Sequence, residues 1–156
     1  MKQLTPHYSL MSELMASPSE PLPIAHRTHQ LTRMWQALAS IERSDRPTTE
    51  DWRVCSDGVN LMETLVLQGV VNDADGLIMD GVTALAMAGR RHVEGGNIRL
   101  DSAGVTAIRA VLEDYATIIA SVSARTMIKC HRATEKRVRE ILAGKRKPHD
   151  VEIMAI

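Results

Sequence analysis

A single all-α domain, a bundle of about five helices with an extended N-terminal arm and a basic C-terminal helix and tail, is what this chain predicts. Three observations lead there. The six prolines (Pro6, Pro18, Pro21, Pro23, Pro47 and Pro148) leave residues 48–147 free of the residue that most disrupts a helix interior. Apolar volume comes from Ala, Leu, Val, Ile and nine Met, with only Tyr8, Trp35, Trp52 and Tyr115 aromatic and no Phe. That mixture suits helices packed through aliphatic side chains better than pleated sheets. Apolar residues also recur three and four positions apart, the period of one helical face.

The elements follow in order. Residues 1–25 combine four of the prolines with Ser9, Ser12, Ser17 and Ser19, a composition that predicts an extended arm ordering on a partner. Removing its first 20 or so residues is expected to leave stability nearly unchanged. The helical domain is expected over 26–147, with 148–156 as a tail. Leu31, Met34, Trp35, Leu38 and Ile41 make one stripe of a helix at about 26–43. Thr48 with Asp51 forms a capping box before Trp52, Cys55, Val59, Met62 and Val66, which predicts a second helix at about 49–68. Asn72 to Gly76 reads as a turn into a third helix at about 75–92, where Ala84, Ala86, Ala88 and Gly89 permit close packing. Asp101 caps a fourth at about 102–121, whose seam is Val105, Ile108, Leu112, Tyr115, Ile119 and Val122. Ser123 caps a fifth that runs to about 143, with Gly144 as its stop. Trp35 and Trp52 both lie on inward stripes and are expected as core anchors.

Composition excludes several function classes. An apolar content of 44% excludes wholesale disorder. A charge interrupts every apolar run before the roughly 18 residues that a membrane span needs. Two cysteines, Cys55 and Cys130, make at most one disulfide, and no secretory signal precedes them, so a reducing cytoplasm is the expected setting. No GxSxG, HExxH or CxxC motif is present, and Gly95-Gly96 lacks the Lys of a phosphate loop. His26 and His29 stand one helical turn apart, and His92, His131, Cys55 and Cys130 are further candidate ligands, but the spacing of this set is weak for metal. The calcium-like run at Asp73, Asp75 and Gly76 fails because Val71 and Val82 occupy the essential carboxylate positions. No enzyme activity, metal or cofactor is therefore expected.

Charge supplies the sharpest functional clue. The chain holds 19 Lys+Arg and 19 Asp+Glu, yet residues 125–147 carry nine bases against Glu135 and Glu140, a local charge of +7 offset by −7 elsewhere. On a helical wheel Arg125, Lys129, Arg132, Lys136 and Arg139 fall on one stripe about 21 Å long, and Lys145, Arg146 and Lys147 extend it. Met127, Cys130, His131, Thr134, Val138, Ile141 and Leu142 gather opposite. Three uses fit such a stripe: contact with DNA or RNA phosphates, contact with an acidic protein, or a solvated face that complements the helix C-terminus.

Asp51-Trp52-Arg53 through Leu61-Met62-Glu63-Thr64-Leu65, the run Thr83 to His92, and His131 to Arg139 carry a resemblance spanning about residues 27–153. In these the chain resembles small uncharacterised accessory proteins of proteobacterial phages, plasmids and integrative elements. The resemblance implies a mobile-element setting and no catalytic residues. Proteins of that kind regulate element genes, contact replication or transfer machinery, or disable host defence by direct binding, as anti-CRISPR proteins do. The expected function is thus stoichiometric binding to a host or element protein, with homo-oligomerisation open and no membrane partner; the alternatives are a nucleic-acid-binding regulator using the stripe and an unrecognised enzyme.

Overall fold

The computed structural model describes residues 8–145, which form α1 (Leu10–Met15), α2 (Ile24–Arg43), α3 (Thr49–Leu67), α4 (Leu77–Val93), α5 (Ser102–Ser121) and α6 (Ala124–Leu142). No strand occurs among the described residues. The five long helices fall within about two residues of the boundaries that periodicity and caps imply, because the caps close as those residue types demand. Thr48 Oγ1 accepts from Asp51 N at 3.2 Å while Asp51 Oδ2 accepts from Thr48 N at 3.3 Å. Asp101 accepts from Gly104 N at 2.7 Å and Ser123 from Thr126 N at 3.2 Å. Asp73 is a cap, as the turn reading expects: its two oxygens accept from Ile78 N and Met79 N at 3.0 and 3.1 Å. They satisfy the first turn of α4, whose N-cap Gly76 has φ +70° and no side chain to offer. Gly144, at φ +68°, ends α6.

Helix α3 is the spine, packed against α2, α4, α5 and α6. Trp52, Cys55, Val59, Met62 and Leu65 along it are at most 1% exposed. The Trp52 indole N–H, buried with its ring, donates to Leu85 O at 3.0 Å and so ties α3 to α4. The α5 seam closes the other side, with Ile108, Leu112, Tyr115 and Ile119 all buried. No described helix is long and apolar enough to cross a membrane.

Two expectations need correction. The described part of the N-terminal arm is not extended throughout: Ser9 and Ser12 cap each other reciprocally, start α1, and set it against α6. Trp35 is half-buried, with one side on the core and the other lining a surface groove on α2. Residues 1–7 of the arm, Arg146 and Lys147 of the basic stripe, and the tail 148–156 lie outside the described residues.

Candidate binding surface

Helix α6 divides as its sequence dictates. Met127, Ile128 and Cys130 are buried, and α6 lies against α3. Beside that face, residues 8–20 run antiparallel along α6. Tyr8 sits at one end, its hydroxyl 3.1 Å from His26 Nε2 and its ring centroid 5.3 Å from that of His131. Burial raises the Tyr8 pKa and holds the phenol neutral. At the other end Ala124 N and Arg125 N donate to Glu20 O and Ser17 O at 2.7 and 3.0 Å. These carbonyls satisfy two of the N–H groups that the start of any helix leaves without an internal partner.

The same segment engages the basic stripe. Arg125 donates to Leu14 O at 3.0 Å, and Arg132 pairs with Glu13. Lys136 reaches Glu140 and Arg139 reaches Glu135, each at 3.9 Å along the helix. Lys129 and Lys145 are exposed, and among the described residues Lys129 makes no ion pair. The stripe is therefore a mixed-charge ridge, and much of its cationic capacity is already committed within the chain.

Sequence reasoning missed two features. The first is the outer face of α1: Leu10, Met11, Leu14 and Met15 are 54%, 62%, 57% and 79% exposed, so this short helix turns its polar side inward and four large apolar side chains outward. The second is Arg137, which lies inward. Its guanidinium meets Glu63 at 3.0 Å with 7% of either side chain exposed, and it donates to Asn60 O and Thr64 Oγ1, both at 3.3 Å. The signal for it was present, since Arg137 continues the inward run Cys130, Thr134, Ile141 at spacings of 4 and 3.

Between Tyr8–Leu10 and the C-terminal half of α6 lies a groove of about 430 Å³, lined by Arg132, Glu135, Lys136, Arg139, Glu140 and Lys145 among others. Cys130 lies nearby as a buried thiol whose pKa is raised by burial, with Lys129 opposing. Among the described residues no three His, Cys, Asp or Glu side chains converge to hold a metal; His26 instead contacts Tyr8, and His29 is exposed. Comparison with protein-family models, with curated proteins and with solved structures finds no match.

Proposed function

We propose that the chain is a non-enzymatic accessory protein that binds a protein partner stoichiometrically through the outer face of α1 and the adjoining ridge of α6. The observation that carries this is the row Leu10, Met11, Leu14 and Met15, exposed on a helix that Arg125 holds at Leu14 O and Arg132 at Glu13. Exposed apolar rows rimmed by charge mark interaction surfaces, and Met adapts its shape to what it meets. Bases at the rim favour an acidic partner by steering encounter, while the apolar row supplies affinity. A polyanion finds less here, because Glu13, Glu135 and Glu140 stand among the cations it would need. The mobile-element setting and interference with a host-defence assembly in the manner of an anti-CRISPR protein rest on the sequence resemblance, and the cytoplasmic location rests on the two free cysteines.

Affinity capture of the tagged protein from its host, with and without nuclease, tests this together with a Met11→Gln/Leu14→Gln/Met15→Gln variant. These side chains are exposed, so folding survives. The expected result is a nuclease-resistant complex of fixed stoichiometry that the variant loses. The nucleic-acid alternative predicts the opposite: capture abolished by nuclease and unaffected by the α1 changes. Its affinity for unrelated duplexes would then lose about one unit of salt slope per cation removed at Lys129, Arg132, Lys136 and Arg139.

A further inference from the structure

We propose that the Asp75-Gly76 peptide bond is a self-modification site, where the chain isomerises to isoaspartate and so loosens the start of α4. The pair Asp-Gly occurs three times, as Asp57-Gly58, Asp75-Gly76 and Asp80-Gly81. All three aspartates are exposed. Glycine is the successor that hinders this reaction least, because it has no Cβ to shield its amide. The backbone around each pair therefore decides which of them reacts.

Two pairs are locked. Asp57-Gly58 lies within α3 and Asp80-Gly81 within α4, where each amide N–H is held by the carbonyl four residues back. Both glycines are buried, and a Cβ built on Gly58 meets Met34 at 2.7 Å and one on Gly81 meets Val111 at 2.8 Å. The chain there has no room to turn. Asp75 stands instead in the turn between α3 and α4, and Gly76 sits in the left-handed region at φ +70°. A Cβ built on Gly76 meets no atom within 4 Å beyond its chain neighbours. A turn bond to Asp73 O at 3.1 Å holds the attacking Gly76 amide, and exposed backbone hydrogen bonds are those that open at least cost.

In the reaction Gly76 N attacks Cγ of the protonated Asp75 carboxyl. The N–Cγ bond forms, the amide proton is lost, and a carboxyl oxygen departs as water. The resulting five-membered succinimide then takes up one water. Addition at Cγ restores Asp75. Addition at the Asp75 main-chain carbonyl carbon breaks its bond to Gly76 N, leaving the chain to run through Cβ and Cγ with a free carboxylate beside it. One water leaves and one enters, so mass is unchanged and no oxidant or cofactor is consumed. The main chain gains a methylene between two anchors of the first turn of α4. These are the Asp73 carboxylate, which caps Ile78 N and Met79 N, and Gly76 O, which accepts from Asp80 N at 2.9 Å. Both cannot keep their places, so α4 frays from its start.

Incubation of the full-length protein in warm neutral buffer, folded and in urea in parallel, tests this. Isoaspartate is read by methyl transfer from labelled S-adenosylmethionine with an isoaspartyl methyltransferase and located by electron-transfer fragmentation. Trypsin leaves all three pairs in one peptide, 54–90, so they are compared within one molecule. In the folded chain isoaspartate is expected about tenfold or more faster at 75 than at 57 or 80, because the helical pairs react only when their helices open. In urea the three should react at comparable rates. Asp75→Glu, which would have to close a six-membered ring, should keep the helical spectrum and abolish the signal at 75. Aged protein should exchange the Ile78, Met79 and Asp80 amides faster than fresh protein, with α5 unchanged. The pair lies outside α1 and α6, so the outcome is independent of their docking role. Isoaspartate spread evenly over the three pairs of the folded chain, or absent at 75 while the urea-treated chain forms it, overturns the site. Amide exchange at Ile78 and Met79 unchanged by ageing overturns the effect on α4.

Discussion

The Glu63 and Arg137 side chains meet where water scarcely reaches, so each neutralises a charge that would otherwise be stranded. Thr64 Oγ1 extends the network by contacting Thr134 Oγ1 at 2.6 Å, which fixes the register of α6 on α3. Glu63→Ala is expected to cost about 3–5 kcal/mol in urea unfolding, since it leaves a buried guanidinium, while Glu63→Leu with Arg137→Met recovers most of that loss. A small effect of Glu63→Ala alone would show that water enters the pair. Cys55 makes a second prediction. Burial, aided by Asp51 and Asp57, pushes its thiol from 9.0 up to about 12, and burial also raises Tyr115. Above pH 9 the unfolded chain releases the thiol proton and the folded chain keeps it, so the folded state binds more protons and stability falls as pH rises. The unfolding free energy from urea titration should hold below pH 9 and decline towards pH 12 by up to about 1.4 kcal/mol per pH unit for each such group, with the midpoint following it. Cys55→Ala should flatten that slope, and a wild-type midpoint unchanged at pH 11 would refute the account.

Among the elements, α1 and the segment after it do more for the fold than their composition implies. They cap the start of α6, cover its flank and hold Tyr8 between α2 and α6. Deleting residues 1–20 is therefore expected to cost about 1–3 kcal/mol, from two backbone hydrogen bonds and one half-buried aromatic. An unchanged denaturation midpoint would mean that α1 rests on the bundle without supporting it. The five long helices were legible because each buries a stripe, and α3, α5 and α6 also carry their own side-chain caps in Thr48, Asp101 and Ser123, information that lies within a few residues of sequence. Helix α1 carries no inward stripe, because its apolar residues face out. Its place depends on Glu13 meeting Arg132, 119 positions away, which no local pattern encodes. The basic stripe was legible as a face for the same reason as the helices. Its partial neutralisation was only half legible, since Glu135 and Glu140 lie on α6 itself whereas Glu13 and Leu14 O arrive from α1.

Across the whole molecule, the excess of base at the C-terminal end faces an acidic remainder. If the proposed partner is acidic, the field of the chain orients its approach, and its association rate is expected to fall as salt rises through the range where the screening length drops to about 10 Å and below. The core beneath is governed by how near the helices stand, and two glycines measure that distance in opposite ways. A Cβ built on Gly58 of α3 meets Met34 Cε at 2.7 Å and Sδ at 2.9 Å, the far end of an unbranched side chain able to swing aside. A Cβ on Gly81 of α4 meets Val111 Cγ2 at 2.8 Å, on a branched side chain of α5 with little rotameric freedom. Either change to Ala gains up to about 1 kcal/mol of helix propensity. At Gly58 that gain is expected to survive and raise the thermal midpoint. At Gly81 overpacking of about 1–3 kcal/mol outweighs it, because α4 and α5 must move apart and loosen the seam around Ile108 and Leu112. Ile108→Ala and Leu112→Ala, each at a fully buried site, should cost about 2–5 kcal/mol and so set the scale against which the Gly81 loss is read. A Gly81→Ala variant as stable as Gly58→Ala would mean that the α4 and α5 contact has slack, and the close approach drawn from these small residues would be wrong.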